Sequence, residues 1–392
     1  MAAGATVAAA AATVGLAVPA IAASAAPSGR ALSAGQTGAA SAVPWHKVGP
    51  GWALALYSAT HAGEGVKPKA GASTLYLVNP QGGRYQLITW SAKSPRAQWD
   101  LVAWSGDAKR ALFTSGPIFL GAARQHVYQL QLRTGHITSF TLPAKVNAVG
   151  YTRPDGLNIL AEKGVLGVGS GTLTLQRYSL TGKLQKSLAR VKGLDDLAGI
   201  GGVPSAPYNS AGTEFAAGTA NGLELISNAG GVIRKLPVQG VSEGCSAVRW
   251  WSTSTVLATC SGQTWLVPVS GAKPAALTPA RTGSGFDFGD FNAWQLSSGL
   301  YVDGYGACGS LVIGRQPAHG KEQQVNVPGA ASSLVVNATA SKLMVERING
   351  CMPGISLVWF NPKTRAMKVA IGVGKDQEGV REVVPYFIAG KF

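Results

Sequence analysis

Apolar and polar residues alternate with period two through most of this chain, and the alternating runs come in pairs around short polar turns. Period two places successive side chains on opposite faces of an extended strand, so each pair predicts a hairpin. Seven such hairpins are legible: "TLYLVNPQGGRYQLI", "HVYQLQLRTGHITSF", "LTLQRYSLTGKLQKSL", "LELISNAGGVIRKL", "TWLVPVSGAKPAAL", "LVIGRQPAHGKEQQVNV" and "SLVWFNPKTRAMKVAI". Between them runs a second series, in which a residue that is aromatic in all but the last copy precedes a polar turn and an apolar run. Its members begin at Trp104, Tyr151, Tyr208, Trp251, Trp294 and Asn337, at intervals of 47, 57, 43, 43 and 43 residues. A repeat of this length carrying four short strands predicts a β-propeller.

The two series do not match in number, since seven outer hairpins accompany six complete inner ones. Ring closure resolves the deficit. "WALALYSA" (52–59) leads directly to an outer hairpin and fits the second strand of a first blade, while "REVVPYFIA" (381–389) follows the last outer hairpin with no later partner. Placed beside 52–59, the final run becomes the missing innermost strand and removes the open sheet edges. The expectation is an all-β chain: one seven-bladed propeller of four-stranded antiparallel blades over 46–392, closed by its C-terminal strand in the first blade. A sandwich does not explain the 43-residue spacing, and helical periodicity is absent.

Composition agrees with many short strands and tight turns, with 52 glycines and only 13% charged residues in 392. The formal charge of +16 points to anionic partners such as a cell wall, acidic polysaccharide, lipid headgroups or nucleic acid, although the basic residues are dispersed. At the N-terminus an apolar core from about Val7 to Ile21 is followed by Ala23-Ser24-Ala25, small residues placed as at a signal-peptide cleavage site. Residues 1–25 are thus read as a signal peptide without the usual basic start, and 26–45 as a disordered linker. This places the mature chain outside the cytoplasm, secreted or associated with the envelope, with no stable membrane span.

"WSGDAKRALF" (104–113) and "YTRPDGLNIL" (151–160) resemble the W-S-P-D-G-x-x-[IL]-[AV]-F turn of TolB-like, WD40-related propellers. With the leader and the Ala/Gly-rich composition, the chain is similar to secreted TolB-like propellers of high-GC Gram-positive bacteria. The likeness spans roughly 50–390, with the Asp kept only at Asp107 and Asp155. It implies a propeller that binds protein in the cell envelope and implies no activity. Sialidase boxes and quinoprotein Trp-docking repeats fit less well.

All four cysteines follow residue 240, and an exported chain predicts two disulfides. A tight turn at 252–255 places Cys245 opposite Cys260 across an inner hairpin, and Cys308 and Cys351 occupy equivalent loops of adjacent blades. The pairing 245–260 with 308–351 is preferred over the alternatives. Nine of the 18 carboxylates precede or open an inner strand and so gather at one mouth of the central channel: Asp195, Asp196, Glu243, Asp287 and Asp290, together with Asp100, Asp376, Glu378 and Glu382. "GFDFGDFNAW" (285–294) joins two of them to Phe286, Phe288 and Phe291, an aromatic and acidic loop suited to a sugar or a cationic group. The longest interval adds Asp195 and Asp196 in "GLDDLAGIGGVPSAPY" (193–208).

The candidate binding residues are therefore Asp195, Asp196, Glu243, Asp287, Asp290 and Phe291, beside the cysteines. No cofactor and no metal site is expected, since the five histidines are scattered and neither His-Glu-x-x-His nor a G-x-S-x-G elbow occurs. Arg249-Trp250-Trp251 is too small a fragment for nucleic-acid binding, which is not expected. The chain is read as a monomeric, non-catalytic binder of a protein, peptide or envelope glycan. The alternative is a secreted carbohydrate-active enzyme using two channel-mouth carboxylates, for example Asp196 and Asp287.

Overall fold

A computed structural model describes residues 32–59, 71–115, 124–164, 172–192, 208–281, 288–307, 310–348, 354–374 and 378–386. Seven sheets follow one another along the chain as the blades of a seven-bladed propeller. Blade 1 consists of Gly379–Pro385 innermost, then Ala53–Ser58, Ser73–Val78 and Arg84–Trp90. The C-terminal strand pairs antiparallel with Ala53–Ser58, Leu54 facing Val384 and Ala55 facing Val383, and closes the ring as the hairpin count requires. Blade 2 starts at Asp100–Trp104, blade 3 at Val146–Tyr151, blade 5 at Cys245–Ser252, blade 6 at Asp290–Leu296 and blade 7 at Ser332–Ala338. In blade 4 the described inner strand is a single bridge, Tyr208 to Phe215, followed by three full strands.

Alternation places one face of each blade against the next, and the clusters of buried side chains lie at these interfaces. One of them gathers Leu54, Leu75, Trp99, Trp104 and Phe113 from blades 1 and 2. Another joins Ala53, Phe291, Val336, Trp359 and Val383 from blades 1, 6 and 7. Turn chemistry follows the side chains: Asp155 Oδ1 accepts the Leu157 N–H at 3.0 Å, and Gly156 supplies φ +69°.

The reading of 26–45 as a disordered linker is corrected over its described part. Thr37–Ala39 runs parallel to the outer strand of blade 1, with Thr37 beside Arg84 and Ala39 beside Gln86. Arg84 Nε donates to Thr37 Oγ1 at 2.9 Å, and Val43 is buried in the blade 1 cluster. An Ala, Ser and Gly segment shows no apolar alternation, yet backbone groups alone complete a ladder on an exposed edge.

One irregularity recurs and was invisible in the sequence. In blades 1, 2, 3, 5, 6 and 7 the innermost strand carries one extra residue relative to its partner, at Arg381, Val102, Val149, Val248, Phe291 and Val336. Such a bulge bends the strand and re-aims a side chain. Blade 5 has a second, at Trp251.

Candidate functional site

At the start of blade 5, Cys245 and Cys260 are directly opposite and joined, with 4.1 Å between their Cα atoms. The expected pairing holds, but the register arises differently. The turn sets Ser252 against Thr255, which carried back unchanged would put Cys245 opposite Gly262. The bulges at Trp251 and Val248 each slide the ladder by one residue and bring Cys260 into place. Cys308 and Cys351 lie outside the described residues.

Beside this disulfide, between blades 5 and 6, is a cleft of about 190 Å3. It is lined by Glu243, Cys245, Ser246, Thr259, Ser261, Arg281, Phe288, Asp290, Phe291 and Tyr305. Three of the candidate binding residues, Glu243, Asp290 and Phe291, are thereby brought together. Asp195, Asp196 and Asp287 lie outside the described residues, as does Asp376.

Each wall has a local cause. The Ser261 Oγ accepts the N–H groups of Ser242 and Glu243, both at 3.1 Å, and fixes the loop that carries Glu243. The Glu243 carboxylate meets Arg281 at 2.8 Å, both side chains remaining about half exposed. Asp290 is buried; its N–H donates to Gly262 O and its carbonyl accepts from Thr259 Oγ1, each at 2.8 Å. Gly304 leaves room for its carboxylate, since a Cβ there would stand 3.0 Å from Asp290 Oδ1. Phe291 is the bulged residue of blade 6, and its ring lies 4.9 Å from that of Tyr305. Phe288, at the rim, is 38% exposed.

Other channel-mouth carboxylates fasten the ring. Arg381, the bulged residue of blade 1, ion-pairs with Glu382 at 2.7 Å and Asp100 at 3.4 Å and donates to Trp99 O. Glu382 in turn accepts the Leu101 N–H at 3.3 Å, so blade 1 is tied to blade 2. Glu378 accepts the Tyr57 hydroxyl at 3.0 Å.

Sequence reading missed a buried network in blades 5, 6 and 7. Arg249 lies over the Trp294 ring at 4.1 Å and donates to Asn292 Oδ1 and Ala293 O. Trp294 Nε1 donates to Asp303 Oδ2 at 2.7 Å, and Asp303 Oδ1 accepts the Val335 N–H at 2.9 Å. Blades 5, 6 and 7 are thus linked through side chains that single-strand alternation assigns to ordinary core or surface.

Burial pushes the Asp303 carboxyl up to about 7, against the pull of its two N–H donors and Arg249. Burial likewise raises Glu346 to about 8, helped by the Glu382 charge. Glu382 itself rises to about 7, with burial exceeding the opposing pull of Arg381. A carboxyl whose folded value is raised stabilises the fold fully below its unfolded value near 4 and loses that contribution as pH rises through the folded value. The melting temperature is therefore expected to fall between pH 5.5 and pH 8.5, by roughly 5 °C. A calorimetric pH series checks this, and a melting temperature that climbs over that interval contradicts the assignment.

Among the described residues no three metal-ligating side chains converge, and no helix is long and apolar enough to cross a membrane. No family profile matches the sequence, and no curated protein matches it. Solved structures do match. A prolyl endopeptidase structure aligns with a TM-score of 0.51 at 12% identity, over 86% of this chain and 51% of that one. The acylaminoacyl peptidase of Pyrococcus horikoshii gives 0.48 at 11%, over 81% and 50%. The β-propeller domain of the trilobed protease from Pyrococcus furiosus gives 0.46 at 11%, over 81% and 94%. This chain spans about half the length of the first two proteins, and the likeness is one of fold.

Proposed function

We propose that this chain is an exported, non-catalytic propeller of the TolB-like kind that binds a protein, peptide or envelope glycan at the cleft between blades 5 and 6. The observation that carries the reading is the convergence of Glu243, Asp290, Phe288, Phe291 and Tyr305 beside the Cys245–Cys260 disulfide. Aromatic faces and hydroxyls suit a sugar ring or the stem of a long side chain, and the acidic edge suits an amine or guanidinium. The Arg281–Glu243 pair at the rim offers both signs of charge to an incoming polar group. An ion-paired Glu243 favours recognition over proton transfer, and the disulfide holds the wall rigid, as a binding surface requires.

The test is capture by the immobilised full chain from solubilised envelope and culture-fluid fractions, with the captured species then titrated against variants. Phe288→Ala and Glu243→Gln are both exposed changes, expected to shift melting by less than about 1 kcal/mol equivalent. Each should weaken the captured ligand by tenfold or more, as loss of an aromatic or charged anchor does. Unchanged affinity in both variants would sink the cleft as the site, and a glycan shortened during capture would point to hydrolysis instead.

A further inference from the structure

A separate surface lies on the outer rim of the ring, on blades 3 and 4. The outer strand of blade 3 is Leu184–Lys192 and that of blade 4 is Val232–Pro237. They are neighbours: the Gly231 N–H donates to Leu188 O at 2.7 Å, and Lys186 Cε stands 2.7 Å from where a Cβ on Gly230 would be. With the turns that lead into them, residues 181–192 and 228–237 carry six cations and no acid. Among the described residues, Glu224 stands 3.9 Å from Lys235.

Leu184, Val232 and Ile233 lie among these cations, exposed by 47%, 42% and 47%. They are half of the six large hydrophobic side chains left exposed among the described residues. Cations alone fit any polyanion. Aliphatic side chains exposed between them gain nothing from a hydrated polysaccharide or a phosphate backbone, whereas a bilayer interface takes them into the boundary between headgroups and acyl chains. We propose that this rim docks the protein on an anionic lipid surface, with Lys183, Lys186, Arg190 and Lys235 on the headgroups and Leu184, Val232 and Ile233 entering the interface. Charge complementarity carries the choice of anionic over zwitterionic lipid, and the aliphatic trio the choice of lipid over soluble polyanion. The surface is distinct from the blade 5–6 cleft, so this proposal stands or falls independently of the ligand bound there.

Sedimentation of the full chain with vesicles rich in phosphatidylglycerol, and with pure phosphatidylcholine vesicles, tests it. Binding to the anionic vesicles alone is expected. The N-terminal apolar segment is the same in every variant, so differences between variants report the rim. Each cation near an anionic surface contributes roughly a fivefold gain, so K183Q/K186Q/K235Q should weaken binding on the order of a hundredfold. K363Q/R365Q/K368Q removes the same charge from exposed positions on blade 7 and should cost less than tenfold. Val232→Ser with Ile233→Ser, at constant charge, should weaken vesicle binding at least tenfold and leave binding to soluble heparin unchanged. Equal losses from the two lysine and arginine triplets, or no loss from the serine pair, would overturn the proposal, as would failure to bind anionic vesicles at all.

Discussion

A chain ended at Gln377 is expected to lose cooperative folding altogether. The deletion removes Gly379–Pro385 and with it all six cross-strand pairs to Ala53–Ser58. Val380, Val383 and Val384 are buried in the wild-type ring. Burial of each contributes about 1.5–3 kcal/mol, so their loss alone is comparable to the 5–15 kcal/mol that stabilises a typical domain. The same cut takes Arg381 and Glu382, which tie blade 1 to blade 2, and Tyr386, whose hydroxyl donates to Gly106 O at 2.9 Å. A ring without its closing strand also exposes a fresh edge on Ala53–Ser58, a template for aggregation. Calorimetry should show no sharp transition in the truncated chain, and a transition within a few degrees of the full chain would refute the closing role.

Asp303→Ala is expected to be the most damaging single substitution. The carboxylate is fully buried and accepts from Trp294 Nε1 and the Val335 N–H. Alanine removes the acceptor that both donors use and the counter-charge that helps hold the buried Arg249 protonated. Breaking a buried charged network from one side costs about 3–5 kcal/mol, which corresponds to a melting temperature lower by roughly 10 °C. Asp303→Asn keeps the shape and one acceptor and should lose about half as much. Equal losses from the two substitutions would show that packing, not hydrogen bonding, dominates at this position.

The architecture was legible because blade spacing and hairpin alternation are written in side-chain polarity, which a burial pattern must obey. The candidate cleft was legible only in outline. Glu243, Asp290 and Phe291 were placed together by their position at the starts of inner strands, and they do share a cleft. Three things were beyond reach. Arg249 and Asp303 find each other across blades 43 residues apart in repeat, and alternation within one strand carries no information on such partners. The bulges leave no compositional mark either, so the Cys245–Cys260 pairing follows from a register that a simple turn does not produce. The strand at Thr37–Ala39 is a third case, since edge pairing rests on backbone groups that every residue shares.

The recurring bulge gives the ring a set of interchangeable sockets. A bulged residue has no partner of its own on the adjoining strand, so its side chain is released from the matching that constrains every other ladder position. Within this one molecule the socket holds Val102 and Val149 where blades simply pack, Phe291 where a cleft wall is needed, and Arg381 where two blades are fastened. The scaffold therefore lets chemistry be exchanged one blade at a time while the hydrogen-bonded frame stays constant. New side chains are best introduced where the bulged residue is only partly buried, beginning with Val248.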